Sequence, residues 1–288
     1  MAMIQELLQT DKTLGLMLIK AQKEVYSSIV GENNIKATGS GYDFVELREY
    51  QSGDDIKYID WIISSKIGKP HVKLFHQQKE LNIVIAPLLS SSLYFGTKRL
   101  KSELLNEVCA LLSYSCVKQN DPFESYICND SVSLTTQRIK QLFSVRTLAE
   151  KIAAYDYMHK EVLWKQLTVE LYKKIQKRSL LFLIGDFLDA ADMDLNVLSK
   201  KHELVVIIIR DKFEEIPHAI GELNITDPAS NANKVIKLDK KAAKTIEKNM
   251  LRNDDILHTK FKALGIRFVK IYTDENPSQK ILSLMSFV

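Results

Sequence analysis

Leu81-Asn82-Ile83-Val84-Ile85-Ala86-Pro87-Leu88-Leu89-Ser90-Ser91-Ser92 is the stretch on which the fold turns. Its first half is a short, nearly continuous apolar run, the pattern of a strand buried on both faces. Pro87 cannot donate to a ladder, so the strand should stop there. A serine-rich turn with Gly96 follows. Leu100, Leu104, Leu105, Val108, Leu111 and Leu112 then recur at helical spacing to about residue 117. The strand signal returns at 180–184, closing on Gly185-Asp186, again at 204–209, and last at 266–271. Helical patterns occupy 138–153, 160–177, 190–200, 240–264 and 277–286. Residues 125–128 and 132–135 read as strands around an Asn129-Asp130 turn, and 222–238 as an antiparallel hairpin with its loop at 228–233. Strands alternating with helices predict an α/β fold, a mostly parallel sheet with helices on both faces. Ligands meet such sheets at the carboxyl ends of the strands. That edge should gather Ser90, Ser92 and Asp186, with Tyr94 nearby, as a partner-binding surface. A plainer role for the serines and Asp186 is to cap the helices that follow.

The 288 residues suit one large α/β domain with an N-terminal extension. The net charge of +4 permits an acidic partner without arguing for nucleic acid, and the basic stretches look like solvated helix faces. Cys109, Cys116 and Cys128 have no metal-ligand spacing and read as buried free thiols in a reducing compartment. The N-terminus lacks the basic and apolar regions of a signal peptide, and no apolar run is long enough for a membrane span. A cytoplasmic protein is expected.

Upstream, 41–61 reads Gly-Tyr-Asp-Phe-Val-Glu-Leu-Arg-Glu-Tyr-Gln-Ser-Gly-Asp-Asp-Ile-Lys-Tyr-Ile-Asp-Trp. Ser52-Gly53-Asp54-Asp55 is a turn signal between two apolar-bearing segments. Residues 3–30 have helix-like apolar spacing, and Val72, Leu74 and Phe75 suggest an extended segment. The arrangement resembles the family called domain of unknown function 58. That family's signature is Glu-Leu-Arg-x-Tyr followed by Gly-Asp-Asp-x-Arg-x-Ile-Asp-Trp. Here it stands as Glu46-Leu47-Arg48-Glu49-Tyr50 and Gly53-Asp54-Asp55-Ile56-Lys57-Tyr58-Ile59-Asp60-Trp61, with Lys57 where the family has Arg. The resemblance continues in Ser90-x-Ser92 with Phe95-Gly96, in Gly185-Asp186-Phe187-Leu188 against the family's Ser-Asp-Phe-Leu, and in Asp211-x-Phe213-Glu214-Glu215-Ile216-Pro217 with Gly221 and Asp227 beyond.

The resemblance implies a domain similar to von Willebrand factor type A at 80–288, after an N-terminal helical and β-rich segment at 1–79 that carries the signature. It also implies a MoxR-type AAA+ ATPase as partner. In von Willebrand type A domains the first strand ends in Asp-x-Ser-x-Ser, and the acid and hydroxyls hold Mg²⁺. Here the position of the acid is Leu88, and no acid occurs between Glu80 and Glu103. A hard cation needs anionic oxygen ligands. A degenerate adhesion site with no metal and no cofactor is therefore expected, and Leu88→Asp should restore metal binding.

In the signature, Glu46, Arg48, Asp54, Asp55, Asp60 and Trp61 are expected to form a network. Arg48 would pair with one of the three Asp residues and Trp61 would bury against the sheet, fixing the segment against the other half. The same residues could instead dock a partner. There is no Walker-type phosphate loop, His-Glu-x-x-His or Gly-x-Ser-x-Gly, so no catalytic residue is assigned. The expected function is protein–protein interaction, as an adaptor or chaperone-like partner of the ATPase acting on an unknown client. The alternative is an uncharacterised hydrolase using Asp54, Asp55 and Asp60.

Overall fold

The computed structural model describes residues 43–76, 82–226 and 233–286. The helix expected at 3–30 and Asp227 lie outside them. The chain divides into two compact units, one spanning 26–80 and the other including 81–288.

In the smaller unit, β1 (Asp43–Glu49) and β2 (His71–His76) form an antiparallel pair with an irregularity between Phe44 and Glu46. The turn after β1 leads into a 3-10 turn at Ile56–Tyr58 and the two-turn helix α1 (Trp61–Ile67). Asp60 caps α1, its Oδ1 accepting from the amides of Ile62 (3.0 Å) and Ile63 (3.1 Å). Gly68 ends it in the left-handed conformation (φ 81°).

The larger unit is built on a six-stranded sheet. Its strands are β3 (Ile83–Pro87), β4 (Phe123–Cys128), β5 (Val132–Ile139), β6 (Leu180–Gly185), β7 (Glu203–Arg210) and, after the hairpin of β8 (Gly221–Thr226) and β9 (Asn233–Leu238), β10 (Arg267–Tyr272). Their order is β10-β7-β6-β3-β4-β5, with only the edge strand β5 antiparallel. The helices are α2 (Lys101–Lys118), α3 (Leu142–Ala153), α4 (Trp164–Lys174), α5 (Asn196–Lys201), α6 (Lys212–Glu215), α7 (Lys240–Ala263) and α8 (Pro277–Ser286).

Strand β3 is buried at every position, as is β6, which accounts for their unbroken apolar sequences. Alternate residues feed opposite faces. Val84, Ala86, Leu181, Leu183, Val206 and Ile208 pack with Trp164, Leu167 and Leu171 of α4 and with Leu257 and Phe261 of α7. Helix α2 packs on the sheet against β3, β6 and β7. The mostly parallel sheet and its helices are as the periodicity predicts.

Three of the expected helices differ in extent, the one at 160–177 running only over Trp164–Lys174. β5 continues to Ile139, which pairs with Phe123, so α3 starts only at Leu142. The helix expected at 190–200 shrinks to Asn196–Lys201. Backbone carbonyls there are taken by α4 side chains: Trp164 Nε1 donates to Asp189 (2.7 Å) and the Thr168 hydroxyl to Asp194 (3.0 Å). Apolar periodicity cannot report such side-chain competition for the backbone.

A candidate docking edge with a buried lysine

Past Pro87 the chain stays tied to the sheet: the Leu88 amide donates to the Ile184 carbonyl (2.7 Å) and the Leu89 amide to Cys128 (2.8 Å). This places Leu88 inside the apolar cluster, 2% exposed. Its neighbour across the strands is Gly185, where an added Cβ would come within 2.8 Å of the Leu88 Cβ. The large side chain at 88 is accommodated because 185 has none. Ser90 then opens the 3-10 turn Ser91–Tyr94. Beyond β6, Phe187 adopts a left-handed backbone (φ 54°), which a bulky residue keeps only when its surroundings hold it. Its ring stacks on Trp164 (5.4 Å) and meets Phe261 edge-on (6.0 Å).

The edge gathers Ser90, Ser92 and Asp186. The two hydroxyl oxygens are 2.7 Å apart, and Ser92 donates to Asp186. The ammonium of Lys101, from the first turn of α2, lies 3.1 Å from the same Asp186 oxygen and 2.6 Å from Glu214 Oε1. The Lys101 side chain is 0% exposed. Burial works to raise the Asp186 carboxyl, but Lys101, the Ser92 hydroxyl and Arg210 outweigh it and hold the group below the usual range. Burial dominates at Glu214, which is raised despite the Lys101 contact, and Asp186 adds to the rise.

A second cluster closes the ends of β7 and β10. Asp211 accepts from the Thr97 amide (2.8 Å), the Thr97 hydroxyl (2.9 Å), the Thr273 hydroxyl (2.5 Å) and the Phe213 amide (2.9 Å). Burial opposes ionisation there, yet these donors prevail and the carboxyl is lowered. Arg210, 1% exposed, approaches Asp254 (3.3 Å) and Glu215 (3.6 Å). Lys270 contacts both acids as well, and the Tyr272 hydroxyl donates to Glu215 (2.7 Å).

A cavity of about 150 Å³ opens at this edge, with Ser90, Ser92, Lys160, Trp164, Asp186 and Phe187 in its walls. Tyr94 is not in that lining. Its ring is 37% exposed and packs edge-on against Tyr157 (5.3 Å). Phe95 beside it is 38% exposed.

The residues present do not fit the divalent cation that the Asp-x-Ser-x-Ser pattern would hold. Leu88 is packed into the apolar core. The hydroxyls are engaged with one another and with Asp186, and an ammonium already sits on that carboxylate. Among the described residues no group of three or more His, Cys, Asp and Glu side chains converges as a metal site. Leu88→Asp alone would therefore place an acid in the core while leaving Lys101 where it is, and the metal gain expected from that substitution loses its basis.

Lys101 and the roles of Asp211 and Glu214 escaped the sequence reading, although the last two lie in the late motif. One signal for Lys101 was visible. Lys101, Leu104, Leu105 and Val108 share helical spacing, so the lysine lies on the apolar face of α2. It also stands in a first turn, where the helix dipole disfavours a cation.

In the smaller unit the signature acids are engaged separately. Arg48 Nη2 meets Asp54 Oδ1 at 2.6 Å, and Asp54 also accepts from the Gln51 amide. Asp55 pairs with Lys57 (2.8 Å), and Asp60 with Lys73 (2.9 Å) while it caps α1. Hydrogen bonds from Arg48, Lys57 and Lys73, respectively, lead in holding the three carboxyls low. Glu46 is exposed and joins none of these pairs. Trp61 does not bury: it is 64% exposed, with Ile62 at 71%, because α1 is short and Ser64 is its only buried residue. The three Asp side chains each serve their own partner rather than one point, as hydrolysis by the cluster would need. Arg48→Ala is expected to lower the melting temperature only slightly, since the pair is partly exposed to water. A loss as large as that of a core truncation would show the pair to be shielded.

These features define an α/β domain whose carboxyl edge carries serine hydroxyls, an acid and a buried lysine. The chain belongs to the family described as "Protein of unknown function DUF58", which matches residues 46–255. The uncharacterized proteins Rv1480 of Mycobacterium tuberculosis and Mb1516 of Mycobacterium bovis are each 24% identical over 210 residues. The match covers 70% of this chain and 65% of each relative, so the chain spans about two thirds of their length. Among solved structures, BatB of Bacteroides thetaiotaomicron has a TM-score of 0.45 at 12% identity, covering 72% of this chain and 97% of that one. Proximal thread matrix protein 1 from the mussel byssus, with a zinc-occupied MIDAS motif, has 0.36 at 10%, covering 73% and 70%. No helix of the described residues is long and apolar enough to cross a membrane.

Proposed function

We propose that this chain is a protein-interaction module whose carboxyl edge docks a MoxR-type AAA+ ATPase, with the chain acting as adaptor or chaperone-like partner. The cavity beside Ser90, Ser92 and Asp186 carries the reading, with the half-exposed rings of Tyr94 and Phe95 at the same edge. Aromatic anchors next to a small pocket are what interface hot spots use. The ATPase itself comes from the family signature at 46–61. In this reading the chain needs no cofactor and turns over no substrate. Three buried free cysteines suit work in the reducing cytoplasm.

The test is binding of purified ATPase, with and without ATP, by calorimetry. Asp186 is a poor probe, because its removal strands Lys101. Tyr94→Ala and Lys160→Glu change the rim instead. Tyr94→Ala is expected to weaken binding by about tenfold or more, the cost of losing a hot-spot aromatic. Lys160→Glu should weaken it through the rim charge, and both circular-dichroism spectra should stay unchanged. Wild-type affinity in both variants would exclude this edge, and no binding by the wild-type chain would exclude the partner.

A further inference from the structure

We infer that the Lys101 ammonium is the resident cation of this edge, a covalently tethered replacement for a divalent metal. Four observations converge. Lys101 is wholly buried, and its ammonium is held between Asp186 and Glu214 at 3.1 and 2.6 Å. The Asp186 oxygen it contacts is the one that accepts from Ser92, which in turn meets Ser90, so hydroxyls, acid and cation form one connected cluster. The position where an acidic metal ligand would stand is Leu88, packed in the core. Gly185 completes the exchange, because any side chain there would strike Leu88. A single positive charge from the chain needs fewer anions than a doubly charged ion, which accounts for the acid being dispensable at 88.

The lysine therefore conceals a cation site. Removing the amine leaves the buried Asp186, the half-buried Glu214 and two hydroxyls, with Asp186 and the serines in the wall of a cavity of about 150 Å³. Oxygen ligands, anionic charge and retained water are what Mg²⁺ and Mn²⁺ require. Lys101→Ala clears the space for such an ion, and Lys101→Gln clears the charge while offering an amide oxygen. The inference does not depend on what docks at the edge.

The experiment uses the full chain, stripped of metal, with Mn²⁺ as the probe. Lys101→Ala is expected to bind one Mn²⁺ per chain by calorimetry and to gain melting temperature as Mn²⁺ or Mg²⁺ is added. The further change Asp186→Asn should abolish both effects. Wild-type protein should show neither, and EDTA should leave its melting temperature unchanged. One Mn²⁺ bound by the wild type, with a melting temperature that EDTA lowers, would overturn the inference, because metal and lysine would then coexist. Should Lys101→Ala fail to fold even with Mn²⁺, Lys101→Gln takes its place. Metal gain in neither variant up to about 1 mM, the weak end for biological divalent sites, also overturns it.

Discussion

Lys101→Met in metal-free buffer is expected to lower the unfolding free energy by about 3–5 kcal/mol, the usual result of removing one partner from a buried ion pair. Methionine keeps most of the aliphatic stem, so lost packing is a small part of the change. The ammonium that lies between Asp186 and Glu214 is gone, leaving a buried carboxylate at Asp186 and a half-buried one at Glu214. At the roughly 2–4 °C per kcal/mol typical of a domain of this size, the melting temperature should fall by about 6–20 °C. Lys101→Met combined with Glu214→Gln should recover part of the loss, since one stranded charge is then removed. Chemical denaturation of the single and double variants measures both effects. A loss under about 1 kcal/mol would mean that the cluster is hydrated and behaves as a surface pair.

The second large effect is a loss of stability in mild acid, carried by His202. The side chain is 2% exposed at the end of α5, and neither ring nitrogen has a hydrogen-bond partner among the described residues. Burial first, then the charges of Lys201 and Arg178, push its pKa down to about 4. The folded value lies below the unfolded value near 6.5. The neutral ring therefore contributes fully above about pH 6.5, and its contribution drains as pH falls toward 4. Over that window the loss is on the order of 3 kcal/mol. Asp186 and Asp211, both held low, make their own losses at lower pH, below the ordinary Asp range. Urea unfolding at pH 7 and pH 4.5 separates them. His202→Leu should flatten the dependence between those values while leaving the further loss below pH 4 in place. An equal slope in wild type and variant would move the acid sensitivity to another group.

Both effects involve residues with no chemical motif around them, and both depend on burial. The strands and most helices were legible because a strand buried on both faces and an amphipathic helix leave different apolar periods. The continuous runs of β3, β6 and β7 mark the centre of the sheet whatever surrounds them. Ser90, Ser92 and Asp186 were legible as companions because each follows the carboxyl end of a parallel strand, and parallel strands bring those ends to one edge. Trp61 was expected to bury, since a large ring in a dense motif looks like a core residue; within its own unit it is exposed, on a two-turn helix whose buried residue is Ser64.

The amino-acid sequence by itself determined the α/β architecture, the membership in a signature-bearing family, and the absence of any acid between Glu80 and Glu103. Each is a local property: a period, a spacing, a residue type missing from one stretch. Only the tertiary structure decided what balances the charge of Asp186. Lys101 lies 85 residues from Asp186 and 113 from Glu214. Those three side chains meet only after separate strand-to-helix connections have folded back over the sheet. Nor does local sequence separate a lysine snorkelling to water from one drawn wholly inside. Two carboxylates at the far end of its stem make that choice, because a buried cation is stable only where fixed anions replace its water.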